Sequence, residues 1–314
     1  MIKLSKAAEI LAEQSQVLIL THANPDGDTL GCGYALMRTL KKLGIKAAVL
    51  NADKIPEKFG YLLCDNDDVD IENAFVVAVD VADPKLLGSL EEKFTDKVDL
   101  CIDHHGSNLM YAECTFVDSD AAAACEIIYE LIKLMGVTVD ADMATCLYTG
   151  ISTDTGCFRY SNVTAKTHIV ASELISFGAK HSFVNTLMFE TKSKAYFALE
   201  KLCLDGMKLC FSDKVAIIKL TNEMYEKSGA DESYSDAISS IPRQVEGVKI
   251  GVTIKEKADG EYKISLRTHE PYNAADICKT LGGGGHARAA GCQISGSINE
   301  AEEKIIKAIE KVII

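Results

Sequence analysis

The sequence predicts an α/β fold, with a larger N-terminal domain built on a parallel sheet and a smaller α+β domain after it. Three observations predict this. At 314 residues the chain exceeds what one hydrophobic core usually serves, so two domains are expected. In its first half, short apolar runs alternate with helix-periodic stretches, as in a sheet covered on both faces. After about residue 183 the pattern changes to hairpins around a glycine run.

Taken in order, residues 1–20 read as an amphipathic helix running into a strand at 17–21. Further strands are expected at 47–51, 75–79 (FVVAV) and 98–102 (VDLCI). Helical patterns lie at 29–43, 121–135, 142–153 and 166–177. A mixed-charge helical stretch at 190–204 bridges two domains. Residues 207–220 read as a hairpin turning at Ser212-Asp213, and 248–268 as a second turning at Ala258-Asp259-Gly260. A helix at 274–281, the glycine run, a short strand near Cys292 and a helix from Ile298 complete the chain. The expected organisation is a first domain at 1–187, a helical linker at 188–204 and a second domain at 205–314.

Composition narrows the function classes. With 47% hydrophobic residues and a mean hydropathy near zero, the chain reads as globular and soluble. No signal-peptide h-region opens it, and no run approaches the ~18 apolar residues of a membrane span. Its eleven cysteines include no CxxC pair and several sit in apolar patterns, as free thiols do in a reducing cytoplasm. A net charge of −13 argues against a protein that coats long nucleic acid. It leaves room for a small anionic substrate held by metals and a few arginines.

The residues that carry chemistry stand at strand ends, where parallel sheets gather ligands. THANPDGD (21–28) places His22, Asp26 and Asp28 after the first strand, Asp80 follows FVVAV, and Asp103-His104-His105 follows VDLCI. Asp154 lies at a helix end in ISTDTGCFRYSN (151–162). An isolated Asp-His-His is more simply a helix N-cap or strand-end turn; the equivalent strand ends beside it favour a metal site. Imidazoles and carboxylates without thiolate suit manganese, magnesium or iron rather than structural zinc. The set exceeds what one ion needs, whereas two ions sharing a carboxylate would use it all.

HANPDGD, AVDVAD, DHH and STDTG, in this order, resemble the four motifs of the DHH phosphoesterase superfamily. GGGGHARAAG (282–291), preceded by KISLRT (263–268), resembles the substrate-binding subdomain of one large branch of it. Together they cover nearly the whole chain. The resemblance implies two divalent ions, manganese first, with magnesium or cobalt as alternatives, in a cleft between a DHH catalytic domain and the C-terminal domain. It assigns one ion to His22, Asp26 and Asp80, and the other to Asp28, Asp80, His104 and Asp154, so that Asp80 bridges. His105 would face the substrate phosphate or leaving group. Asp80 and His105 are therefore the catalytic candidates, around a hydroxide shared by the two ions.

The glycine run has its own reading. One glycine there is a flexible loop or helix C-cap; four, followed by His286 and Arg288, suggest backbone that closely approaches an anion. Gly283, Gly284, Gly285, His286 and Arg288 are thus candidate substrate contacts. Arg267 alternates with Leu266 and faces away from it; its plain alternative is a solvated strand arginine. The resemblance makes Arg267 a substrate contact, as it does the His and Arg of the glycine motif, and a guanidinium suits phosphate through paired hydrogen bonds. His168, His181 and His269 fall outside the motifs, while Arg159 and Asn162 remain open. Two departures from the family pattern stand out: Ala123 and Ala124 where hydroxyl residues are common, and Cys32 where a serine is usual. Neither is expected to touch a predicted ligand, so catalysis stays intact and fine substrate preference is what they affect.

Within the superfamily, the chain looks like the small stand-alone enzymes that degrade very short RNA and 3′-phosphoadenosine 5′-phosphate. Similar members cleave cyclic-di-AMP or its linear product pApA. The pyrophosphatases carry an Arg-Lys-Lys signature that is absent here. The single-strand DNA exonucleases are larger and need a long basic groove. A non-catalytic nucleotide-binding protein would be expected to have a broken metal set, and here the set is intact. The expected partners are short RNA or DNA oligonucleotides or small nucleotides, with no long duplex and no membrane. A homodimer is an analogy with the family alone.

Overall fold

The computed structural model describes residues 1–257 and 260–313, together with the backbone but not the side chain of Asp236. Two compact units divide it at Met1–Thr191 and Lys192–Ile314. No helix among the described residues is long and apolar enough to cross a membrane.

The first unit is an all-parallel sheet of β1 (Gln16–Leu20), β2 (Lys46–Leu50), β3 (Phe75–Val79), β4 (Leu100–Asp103) and β5 (Cys114–Val117), in the order β2-β1-β3-β4-β5. Its helices are α1 (Leu4–Ala12), α2 (Gly27–Lys42), α3 (Glu91–Phe94), α4 (Ala124–Leu134), α5 (Ala141–Asp154), α6 (Ala165–Ser176) and α7 (His181–Asn185). Alternation along β1 shows why its run is apolar throughout. Val17 and Ile19 enter the large core with α2, α4 and α5, whereas Leu18 and Leu20 enter a smaller core with Leu87, Phe94 and Cys101 on the other face. Burying each such side chain contributes roughly 1.5–3 kcal/mol. Strand order reverses between β1 and β3, and at such a switch point the loops leaving the carboxyl ends part and open a crevice. That crevice positions the site. The sequence reading missed β5, a short edge strand whose single fully buried residue, Thr115, is polar.

The second unit is a mixed sheet of β6 (Lys208–Cys210), β7 (Val215–Leu220), β8 (Ile250–Glu256), β9 (Glu261–Thr268), β10 (Gly284–His286) and β11 (Ala289–Ser295), in the order β10-β11-β9-β8-β7-β6. All pairs are antiparallel except β7 with β8. The first predicted hairpin forms, its turn held by Phe211, Ser212 and Asp213 at positive φ. The second forms as β8 and β9, with Ala258 and Asp259 of its turn outside the described residues. The β7–β8 crossover carries α9 (Asn222–Ser228) and α10 (Ser235–Ser239), helices absent from the sequence reading. The stretch expected as a linker is α8 (Lys194–Asp205), and Tyr196, Leu199 and Cys203 bury it against Ile218 and Leu220 of β7. It is part of the second unit's own core because one face is apolar. On the opposite face, α11 (Ala274–Lys279) and α12 (Ile298–Glu310) cover Ile264, Leu266 and Cys292.

Candidate metal centre

Seven predicted residues of the first unit converge at the carboxyl ends of β1, β3 and β4. His22 follows β1 and is pinned from two sides. Its backbone N–H donates to Thr29 Oγ1 (3.3 Å), whose hydroxyl donates to the Val79 carbonyl at the end of β3 (3.2 Å). Asn51, at the end of β2, donates to the His22 carbonyl (2.7 Å). Asp26 caps α2 by accepting from the N–H groups of Asp28 and Thr29, and Asp28 stands in the first turn of that helix. Asp80 sits just past β3 with φ 58°, a left-handed conformation uncommon for a side chain with a Cβ and costing about 1 kcal/mol or more. Asp154 closes α5, and Gly156, Cys157 and Phe158 then turn the chain away, all at positive φ.

The imidazoles are aimed by their Nδ1 atoms. His22 Nδ1 lies 2.8 Å from the Ala23 carbonyl and His104 Nδ1 3.2 Å from that of Ala121, so each ring offers Nε2 inward. His22 Nε2 is 3.5 Å from Asp26 Oδ1 and 3.6 Å from Asp80 Oδ2. His104 Nε2 is 3.6 Å from Asp80 Oδ1, 3.5 Å from Asp154 Oδ2 and 3.9 Å from Asp28 Oδ2. The two oxygens of Asp80 thus face different clusters. Donors each ~2.1 Å from an ion lie up to ~4.2 Å apart, so these imidazole–carboxylate separations allow an ion beside either ring; His22, Asp26 and Asp80 form one close group, and Asp28, His104 and Asp154 another. The sharper test is Asp80 Oδ1 and His104 Nε2, both buried and without a hydrogen-bond partner among the described residues. Unpaired buried polar atoms cost about 1–3 kcal/mol each, which a cation between them would relieve.

Charge points the same way. Burial, then the Asp26 charge, pushes the Asp28 carboxyl up to about 6. Burial, then Asp28 and Asp26, pushes Asp154 up to about 8. Asp80 is raised well above its usual range by burial and then by Asp28. These carboxylates crowd one another, and two dications would offset their charge. Groups raised in the folded state contribute stability at low pH and lose it as pH rises through the folded value. Ligand carboxylates, by contrast, must be ionised to bind metal. Metal-free protein is therefore expected to lose thermal stability between about pH 4 and 8, while the gain in Tm on adding manganese grows over the same window. A gain that is flat or falls with pH would refute the cluster as the binding site.

Asp28 corrects an expectation. Its carboxylate accepts from the N–H groups of Ala124 (2.6 Å) and Cys125 (2.9 Å), and Cys32 Sγ lies 3.8 Å from Oδ1. The two departures from the family pattern therefore lie directly against a predicted ligand. The backbone at the start of α4 holds the carboxylate, favoured by the helix dipole. That arrangement needs no hydroxyl side chain, so residue type carried no sign of it. Burial drives the Cys32 and Cys125 thiols well above their usual range, and Cys125 Sγ lies 3.5 Å from the Asp28 carbonyl as a donor rather than a thiolate ligand. Gly150 of α5 packs against the same carboxylate, where a Cβ would meet Cys125 Sγ and lie 2.5 Å from Asp28 Oδ1. Gly150→Ala is expected to destabilise the protein by about 1–3 kcal/mol, the usual cost of overpacking, and to weaken metal binding; thermal melts and metal titration read both.

Sequence reasoning placed Asp103 in the Asp-His-His motif without giving it a role of its own, and it passed over Asn108. Asp103 is fully buried; its Oδ1 lies 2.8 Å from His105 Nδ1 and its Oδ2 accepts from Asn108 Nδ2 (2.7 Å). The hydrogen bond to Asp103, outweighing burial, raises the pKa of His105. His105 is about half exposed and lines a cavity of 180 Å³ with His22, Asp26, Asp80, Leu86 and Asp154. Asn162 donates to the carbonyls of Ala122 and Asp154, tying two site loops together. Arg159 donates to the Gly156 carbonyl and lies over the Phe189 ring.

In the second unit, His286, Ala289 and Arg267 form one cross-strand row over β10, β11 and β9, and directly opposed residues share a face. Arg288 is paired with Glu270 (2.7 Å) and donates to the Tyr272 carbonyl. The glycine run leaves the turn at Gly282 and enters the edge strand β10 at Gly284 and Gly285. A Cβ on Gly285 would lie 2.7 Å from the Ala289 carbonyl oxygen, and one on Gly283 would meet that of Gly291. Packing against β11 therefore accounts for these two glycines, and only Gly284 of the three predicted contacts opens onto free space.

The chain is similar to known proteins over nearly its whole length. Residues 16–151 match the model of the DHH family, N-terminal domain, and residues 212–314 that of the DHHA1 domain. A Thermus thermophilus protein named bifunctional oligoribonuclease and PAP phosphatase NrnA is 34% identical, over 98% of this chain and 94% of its own. A Bacillus subtilis protein of the same name is 26% identical, over 88% of this chain and 89% of its own. The crystal structure of an exopolyphosphatase-related protein from Bacteroides fragilis superposes with a TM-score of 0.85 at 23% identity, covering 98% of this chain and 95% of that one.

Proposed function

Since the chain belongs to the DHH family, we propose that it is a two-metal hydrolase of short oligonucleotides and 3′-phosphoadenosine 5′-phosphate, with manganese as its preferred ion. The observation that carries the metal chemistry is Asp80, buried and left-handed, with one oxygen toward each imidazole-carboxylate cluster. His22, Asp26 and Asp80 would hold one ion, and Asp28, Asp80, His104 and Asp154 the other. Oxygen and imidazole donors favour manganese or magnesium. When bound, such ions lower the pKa of water, from about 15.7 toward 7 in favourable cases, and neutralise charge on the phosphoryl oxygens. The substrate class is supported by the names of the relatives.

The chain's own groups do the rest. Asp103 accepts the Nδ1 proton of His105 and leaves Nε2 to carry a proton toward the leaving oxygen. The raised pKa of His105 keeps that proton available near neutral pH. Arg267, Gly284, His286 and Arg288 would hold substrate phosphate, with Gly283 and Gly285 shaping the strand beside them. Arg288 would exchange Glu270 for a phosphate, an easy trade because an exposed ion pair is worth only ~0–1 kcal/mol.

The test is hydrolysis by manganese-loaded protein of a 5-mer RNA, 3′-phosphoadenosine 5′-phosphate, pApA and cyclic-di-AMP. Turnover of the first two is expected. Folded, metal-loaded protein that cleaves none of them would end the enzyme reading, and cleavage of cyclic-di-AMP alone would replace the substrate class.

A further inference from the structure

We propose that the outward face of β9–β11 carries a second nucleotide subsite, ending on Lys263 and Gln293, that favours oligonucleotides over mononucleotides. This deepens the substrate reading above and rests on it. Strand register places three rows on that face: His286–Ala289–Arg267, then Gly284–Gly291–Ser265, then Gln293–Lys263. Leu266, Ile264 and Cys292 point the other way, into the core. Over β8 the same face is closed, with Gly251 against Pro242 and Lys255 bonded to Glu232 and Ser235. Beyond β8 it opens into a hollow of 440 Å³ lined by Lys263, Gly282, Gly283, Gly284, Gly291, Cys292 and Gln293.

The charges at its far end ask for an anion. Lys263 is exposed and has no ion-pair or hydrogen-bond partner among the described residues, and it stands directly opposite Lys255 across the β8–β9 pair. Like charges in that position repel, and Glu232 already serves both Lys255 and Lys257. Four residues of strand, ~14 Å at ~3.4 Å each, separate Lys263 from Arg267, farther than one nucleotide extends. Between them the floor is Gly284, Gly291 and Ser265, low enough for a base or ribose to lie on it. A phosphate held at the Arg267–His286 row therefore leaves the next nucleotide over the hollow and a further phosphate at Lys263, while 3′-phosphoadenosine 5′-phosphate stops short.

Lys263→Ala, at an exposed strand position, is expected to raise KM for a 5-mer RNA about fivefold, the range of one exposed charge contact. Its kcat, and KM for 3′-phosphoadenosine 5′-phosphate, should stay unchanged. The slope of log KM against log salt should flatten by about 0.7 for the 5-mer, as loss of one single-strand phosphate contact requires. Lys263→Glu should widen the gap between the substrates. An equal rise for both substrates, or no change for the 5-mer, would overturn the subsite while leaving the hydrolase standing. Should the wild type turn over neither substrate, equilibrium binding of a fluorescent 5-mer to wild type and Lys263→Ala decides the subsite independently, and equal affinities overturn it.

Discussion

Replacing Asp80 by asparagine is expected to abolish turnover, by about 10³-fold or more, and to lower the bound metal below two ions per chain. Asparagine preserves the shape of the side chain but not its charge, and it offers one oxygen where two face different clusters. Losing several kcal/mol of charge stabilisation in the transition state, at about 1.4 kcal/mol per tenfold, gives that magnitude. The stability of the metal-free protein should move the other way. Burial and the Asp28 charge disfavour an ionised Asp80, so removing its charge relieves crowding and should leave the metal-free melting temperature at pH 8 equal or higher. Metal analysis beside thermal melts separates this from unfolding. Two ions retained, or activity within tenfold of wild type, would remove Asp80 from its bridging role.

His105→Ala is the second large effect. Loss of a positioned proton donor costs about 10²–10⁴ in rate, and metal content should be unchanged because the side chain belongs to neither proposed ligand set. Asp103→Asn should reproduce part of this, about 10- to 100-fold, since a charge-assisted hydrogen bond becomes a neutral one. It should also shift the pH profile. The Asp103 charge raises the pKa of His105, so without it the acid form is lost at lower pH and the alkaline limb of kcat moves down. A role for Asp103 in folding alone would reduce activity without moving that limb.

Much of this centre was legible as sequence because its ligands are local to strand ends. A buried parallel strand announces itself as an apolar run, and the first polar residues after it emerge at the carboxyl edge of the sheet. His22, Asp26 and Asp28 after β1, Asp80 after β3 and His104 after β4 were read that way, and the fold brings them together with Asp154. The motif resemblance pointed to the family that the domain matches identify. The edge strand β5 and the crossover helices α9 and α10 escaped because they are short and their periodicity is weak.

By itself the sequence determined the fold class, the candidate metal donors and the family, since each depends on residue type at short spacing. The tertiary structure alone decided how those donors are used. Which oxygen of Asp80 faces which imidazole follows from a left-handed backbone that an aspartate letter does not reveal. The grip on Asp28 comes from main-chain N–H groups of α4, which every non-proline residue possesses. Gly283 and Gly285 answer to the backbone of β11, and Lys263 faces Lys255 across a strand pair. Main-chain donors and cross-strand register belong to no single stretch of sequence, so they become visible only when distant segments are in contact.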